Sequence, residues 1–155
     1  MSTMKKIRAD ISNNDRAKRF TDNYGIDIYF GHAKFTSKNT VEVNGKTLSF
    51  VKACIATGAR PKVPAIDGLS KIRYYTSDSI FNMVEQPKKL LIIGGGPIAC
   101  ELGQGFARLG TEVAMMVRGK KILPKDDLEA SDLLTKQMEK DGVNFMFGVV
   151  PSSFT

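Results

Sequence analysis

Apolar and polar positions change their period several times along the chain. Residues 4–24 read as a helix, with Ile7, Ile11 and Phe20 spaced for one face amid charged residues and Gly25 as a stop signal. The next stretches, "IDIYFG" (26–31), "HAKFTS" (32–37), "TVEVNG" (40–45) and "KTLSFVKACIATG" (46–58), are rich in β-branched and aromatic residues. They are punctuated by "SKN" and by "NGK", a favoured hairpin turn, and predict an antiparallel meander that ends in a buried strand. "ARPKVPAIDGLSK" (59–71) reads as an extended connector, and "TSDSIFNMVE" (76–85) as a short helix with Thr76 or Ser77 placed to cap it.

Gln86-Pro87 marks a boundary, which divides the chain into regions 1–86 and 87–155. Beyond it the pattern predicts a strand (88–93), a helix (about 97–109), a strand (112–117), a helix (about 128–140) and a strand (143–149). This βαβαβ order implies a parallel sheet with right-handed crossovers, so the fold class is α/β. Ile98, Leu102, Phe106 and Leu109 are expected to supply the buried face of the first helix. In the second, Leu133, Leu134 and Met138 are expected to face inward, with Asp126 or Asp127 as the cap.

Composition adds bounds. A chain of 155 residues with 42% hydrophobic and 25% charged residues has a globular, not a disordered, make-up. No apolar run approaches the roughly 18–20 residues needed to span a bilayer, and the basic N-terminus lacks the apolar segment of a secretory signal, so no membrane partner is expected. The net charge of +7 is uneven: residues 1–63 hold 12 Lys/Arg against 5 Asp/Glu, and the remainder balances. Because the cations are scattered, a solvated basic face is the expectation, with nucleic-acid binding as the alternative. Cys54 and Cys100 match no metal or redox spacing, and both are expected to be buried, reduced thiols, which suits a cytoplasmic (or organellar) compartment. His32 is the only histidine, so neither a histidine metal site nor a Ser-His-Asp triad can be assembled.

The candidate chemistry lies in "LLIIGGGPIACELGQGFARLGTEVAMMVR" (90–118), where a strand runs through clustered glycines into a helix. In such a βαβ unit Gly94 permits the tight turn, Gly96 lets the backbone approach a pyrophosphate, and Ala99 is small enough for close helix–strand packing. Free N–H groups at the helix start then favour an anion. At the end of the second strand an NAD-selective site places a carboxylate on the ribose hydroxyls. Here Val117 is followed by Arg118-Gly119-Lys120-Lys121, cations that suit a 2′-phosphate. A charge-assisted hydrogen bond of about 1.5–3 kcal/mol favours NADP over NAD by roughly tenfold to a hundredfold. The alternative is a solvated basic turn.

Three stretches in the same order and spacing, "GHAKF" (31–35), "ACIATGARPKVP" (53–64) and "LLIIGGGPIACELGQGFARLGTEV" (90–113), resemble the FAD-dependent pyridine nucleotide–disulfide oxidoreductases. "IRADIS" (7–12) and the proline of "GGGPI" are most similar to the mercuric reductase branch, and the likeness covers about residues 5–147. The resemblance implies a partial FAD-binding domain over 1–86, containing the antiparallel β meander, and a partial Rossmann-like NAD(P)H-binding domain over 87–155. It places His32 and Ala33 beside the adenine end of FAD, and Ala56, Thr57 and Gly58 at a turn that passes near the flavin. Gly94, Gly96, Pro97 and Ile98 would cradle the nicotinamide dinucleotide, with Arg118 and Lys120 at the ribose phosphate. Glu101 would sit near the nicotinamide or, alternatively, be an ordinary surface carboxylate. The resemblance further implies cofactors FAD and NADP (or NAD), and other parts of the same enzyme, as a separate chain or a homodimer, as partners. The redox cysteine pair, the first dinucleotide turn and the dimerisation region of the family have no counterpart in these residues. The expectation is therefore an internal portion of such an enzyme with no catalytic residue of its own; a non-catalytic nucleotide-binding module is the rival reading.

Overall fold

A computed structural model describes residues 2–155, which divide into two compact units, one up to Ala59 and the other Arg60–Thr155. The parting at Ala59–Arg60, and not at Gln86-Pro87, reflects bonds that bind the connector to the second unit. Phe154 donates its N–H to the Asp67 carbonyl at 2.8 Å, and the Gln86 side chain donates to the Leu109 carbonyl at 2.7 Å.

In the first unit the expected single helix is two: α1 (Ser2–Ser12) and α2 (Ala17–Tyr24). The break falls at Ser12, whose Oγ donates to the Ala9 carbonyl at 2.7 Å, and at Asn13–Asp15, a single 3-10 turn of residues that favour local backbone bonding; Arg16 is then extended at φ −71°, ψ 138°. Gly25 ends α2 in the left-handed conformation, φ +65°, as the stop signal required. The meander comprises β1 (Ala33–Phe35), β2 (Thr40–Val43) and β3 (Lys46–Ser49), all antiparallel. Asn44 and Gly45, at φ +50° and +78°, form the predicted hairpin turn between β2 and β3.

One expected strand is missing and another is cut short. Residues 26–31 join no ladder, although the Asn44 side chain donates to the Phe30 carbonyl at 2.8 Å. β3 stops at Ser49, and residues 51–65 make no backbone hydrogen bond among the described residues. The anticipated buried strand is instead an exposed segment, with Val51 98% and Ile55 71% accessible. Cys54 lies within it and is exposed, contrary to the expectation of a buried thiol. Side-chain pattern signals strand character, but without a neighbouring edge to bond the ladder does not form.

The second unit is built on a three-stranded parallel sheet, β4 (Lys89–Ile93), β5 (Glu112–Val117) and β6 (Val143–Phe147), in the order β4-β5-β6. Two helices, α3 (Pro97–Arg108) and α4 (Leu128–Lys140), are the crossovers. The register aligns Leu90, Val113 and Val143, and then Ile92, Met115 and Phe145, on one face. That face carries the core: Cys100, Val113, Met115, Val117, Ile122, Met138 and Val143. On the other face Leu91 and Ile93 remain 43% exposed.

The helix faces differ from the pattern. Ile98 and Leu109 are exposed, and α3 packs through Ala99, Cys100, Gly103, Phe106 and Ala107. Gly103 shows why: a Cβ there would stand 2.8 Å from Met115 Sδ, so small residues set the approach of helix to strand. In α4 Leu133 is 71% exposed, while Leu134 packs against the core and Met138 is fully buried. Asp127 is the cap, its carboxylate accepting from the Glu129 N–H at 2.9 Å. Residues 76–85 form only a short turn, Ile80–Asn82, in which Ser79 Oγ accepts from the Thr76 N–H. Where α4 ends, Asp141 accepts hydrogen bonds from Gln104, Arg108 and Gln137, joining the C-terminal ends of both helices.

Candidate functional site

The glycine turn sits between β4 and α3, as its spacing predicts. Gly94 has φ +125°, a conformation that favours glycine, and its N–H donates to the Met116 carbonyl at 2.9 Å. This bond ties the turn to the neighbouring strand β5. Gly96 precedes the helix in an extended conformation, φ −83°, ψ 175°, and no side chain caps the helix. Pro97 follows at the first helical position, where its lack of an N–H costs nothing. The first helical bond runs from the Cys100 N–H to the Gly96 carbonyl at 3.0 Å. The amides of Gly95, Gly96, Ile98 and Ala99 have no acceptor among the described residues. A Cβ placed on Gly94 or Gly96 would meet nothing within 4 Å, so the space beside these amides is open.

The middle glycine does something the sequence motif does not assign. A Cβ on Gly95 would stand 2.9 Å from Val117 Cγ1 and 3.3 Å from Ile122 Cα. Its carbonyl accepts the Leu123 N–H, at 2.6 Å. Gly95 therefore brings the loop that follows β5 against the glycine turn. The run of three glycines, where the motif needs only two, is the signal that could have found it.

Val117 is buried at 3%, packed over Gly95, and its carbonyl accepts the Gly148 N–H at 2.8 Å. The chain then emerges at Arg118, Gly119 and Lys120, all exposed. Arg118 and Lys120 make no hydrogen bond or ion pair with described residues. Lys121 is occupied: its ammonium donates to the Asp126 carbonyl at 2.7 Å. Of the three cations expected at this corner, two are thus available to an anion.

Glu101 is exposed on α3. Beside it, burial, and secondarily the Glu101 charge, raises the Cys100 thiol above its ordinary pKa. Cys100 is a packing residue held in its protonated form. His32, Ala33, Ala56, Thr57 and Gly58 lie in the first unit and are exposed. Ala33 opens β1 opposite Val43, and Gly58 has φ +69° within the segment that lacks backbone hydrogen bonds. Among the described residues no group of three or more His, Cys, Asp or Glu side chains is arranged to hold a metal.

A strand-to-helix corner with free amides, an open approach and two unpaired cations at the end of the next strand is the arrangement by which βαβ units receive a diphosphate and a further anionic group. Comparison with known proteins identifies the family. Residues 3–155 match the family model described as pyridine nucleotide-disulphide oxidoreductase. A mercuric reductase of Lysinibacillus sphaericus is 41% identical over 135 residues, which cover 87% of this chain and 25% of that protein. The chain spans about a quarter of the length of the curated relatives it matches. Among solved structures, the HOCl-induced flavoprotein disulfide reductase RclA from Escherichia coli superposes with a TM-score of 0.78 at 29% identity, covering 94% of this chain and 34% of that one. An engineered water-forming NADPH oxidase, solved bound to NADPH, superposes with a TM-score of 0.57 at 26% identity, covering 75% of this chain and 28% of that one. With a match that extends over residues 3–155, the chain belongs to the pyridine nucleotide-disulphide oxidoreductase family.

Proposed function

We propose that this chain supplies the nicotinamide dinucleotide site of an FAD-dependent oxidoreductase that takes hydride from NADPH and delivers electrons to a disulfide or mercuric substrate. The observation that carries the reading is the set of unpartnered amides at Gly95, Gly96, Ile98 and Ala99 beside an open space. A diphosphate there accepts N–H bonds that otherwise go to water, in the favourable field of the α3 N-terminus. Ile98, 56% exposed at the start of α3, offers an apolar surface to the same ligand. Arg118 and Lys120, exposed and unpaired, suit the ribose 2′-phosphate that distinguishes NADPH from NADH. Glu101 is the candidate for the nicotinamide end. When bound, the nicotinamide supplies the hydride and FAD accepts it; this chain's residues bind and orient.

The FAD side of the proposal rests on the first unit. Ala56, Thr57 and Gly58 belong to a segment outside every helix and ladder, whose amides make no backbone bonds and whose Val51 and Ile55 are uncovered. Such a segment suits the flank of a large planar group, with His32 and Ala33 at its adenine end. The working enzyme would be completed by other parts of the same enzyme, as a separate chain or a homodimer, in a reducing compartment.

Calorimetric titration tests the site. We expect NADPH to bind more tightly than NADH, and Arg118→Ala to weaken NADPH by roughly tenfold, one charge-assisted bond of about 1.5 kcal/mol, with NADH little changed. Heat from neither nucleotide, or an R118A variant that loses both equally, would defeat the assignment. A second reading, a nucleotide-binding module without chemistry of its own, is favoured for the isolated chain by one observation. Its only two cysteines are an exposed Cys54 and a buried Cys100 with a raised pKa. On that reading the isolated chain reduces no disulfide with NADPH.

A further inference from the structure

The loop between β5 and α4 is held by a hydroxyl of α4 that the nucleotide site does not use directly. Ser131 is 0% exposed within α4, and its Oγ donates to the Ile122 carbonyl at 2.8 Å. Ile122 is itself 0% exposed. The next residue, Leu123, adopts φ +45°, a left-handed conformation unfavourable for a leucine, and donates its N–H to the Gly95 carbonyl. The loop is thus fastened at Ile122 to α4 and at Leu123 to the glycine turn. Arg118 and Lys120 lie on the same loop, a few residues upstream of both fastenings.

Serine is a mediocre helix former and has no cap to make at this internal position, so its place in α4 is not explained by propensity. What the hydroxyl does is satisfy a buried carbonyl next to a strained residue. Without it, the Ile122 carbonyl must turn toward water. The adjacent Leu123 then loses what holds its left-handed backbone, and with it the bond to Gly95.

We propose that Ser131 is a positioning residue for nucleotide discrimination, fixing through Ile122 and Leu123 the loop that presents Arg118 and Lys120 beside the glycine turn. The inference rests on the NADPH reading given above. It predicts a selective effect, because the glycine-turn amides serve NADPH and NADH alike, while the loop cations serve only the 2′-phosphate.

The test is Ser131→Ala in the full chain, titrated calorimetrically with NADPH and with NADH at one ionic strength. Alanine is smaller and a better helix former, so α4 accepts it without a clash. We expect NADPH to weaken at least fivefold and NADH less than twofold. Exchange of the Leu123 amide, followed by NMR, should accelerate, whereas that of Met115 in the sheet should not. An unchanged NADPH/NADH ratio, whether both weaken together or neither does, overturns the proposal, as does undiminished protection at Leu123. A wild-type chain that binds neither nucleotide sinks the NADPH reading instead, and the Leu123 exchange result then still reports whether Ser131 fixes the loop.

Discussion

The geometry of the three consecutive glycines separates binding from stability, and Gly96→Ala is the substitution that exposes the separation. At φ −83° and ψ 175° the backbone is one that any residue adopts, and a Cβ there meets nothing within 4 Å. Folding should therefore tolerate alanine. By restricting the unfolded chain, it should change stability by a gain of about 0.4–1 kcal/mol or leave it unaltered. The methyl group, however, projects into the space through which a diphosphate oxygen must come to reach the amides. Keeping that oxygen away from one N–H forfeits a charge-assisted bond of about 1.5–3 kcal/mol, which is roughly tenfold to a hundredfold in the dissociation constant. Gly95→Ala is the control of opposite sign. Its Cβ would stand 2.9 Å from Val117 Cγ1 and 3.3 Å from the backbone of Ile122, so it should cost about 1–3 kcal/mol of overpacking. Urea unfolding measures the first quantity, and calorimetric titration with NADPH the second. A G96A variant that binds NADPH like wild type would show that the diphosphate does not use this corner. One that unfolds at markedly lower urea would show that the space is not open.

Two other expectations follow from titratable groups. Hydrogen bonding from Arg108, and then from Gln104, holds the Asp141 carboxyl below its ordinary pKa. A group with a depressed folded-state pKa stabilises the fold fully above its unfolded value of about 3.9, and that contribution disappears as pH falls through the folded value. The urea midpoint of wild type should thus exceed that of Asp141→Asn by a constant amount near neutrality and lose the excess only below about pH 4; a pH-independent difference would refute this. The two cysteines should differ in reactivity. Exposed Cys54 should titrate promptly with a chromogenic disulfide reagent, and buried Cys100 only after denaturation, so two prompt thiols would contradict the packing around α3.

The second unit was largely legible because its signals are local and agree with one another. Strand 112–117 and helix 128–140 coincide with β5 and α4, and the glycine corner falls where strand and helix periods change. What pattern missed there is packing through small residues. Counting large apolar side chains assigned the buried face of α3 to Ile98, Leu102, Phe106 and Leu109; Phe106 does pack on the core, but Ile98 and Leu109 are exposed, and Ala99, Cys100, Gly103 and Ala107 allow the helix to approach β5. The first unit was read less well because ladders depend on neighbours. The residues of 26–31 and 50–58 have strand-like side chains, yet only stretches with an available edge, β1 to β3, pair. The long N-terminal helix failed for a local reason, the consecutive Ser12, Asn13, Asn14 and Asp15, each able to divert a backbone bond. At the candidate site, the loop cations and motif glycines could be read from residue type and spacing. The fastening of Leu123 to Gly95 and of Ser131 to Ile122 joins residues too far apart for either signal.

The bond-free stretch from Val51 to Ala65 also bears on how the molecule can be handled. A protease needs exposed backbone free of ladders and helices. This stretch belongs to no helix or ladder, is exposed apart from Pro61, and carries Lys52, Arg60 and Lys62. Pro61 shields the bond after Arg60, so brief trypsin digestion should nick the chain first after Lys52 and Lys62 and release a C-terminal piece that contains the whole parallel sheet.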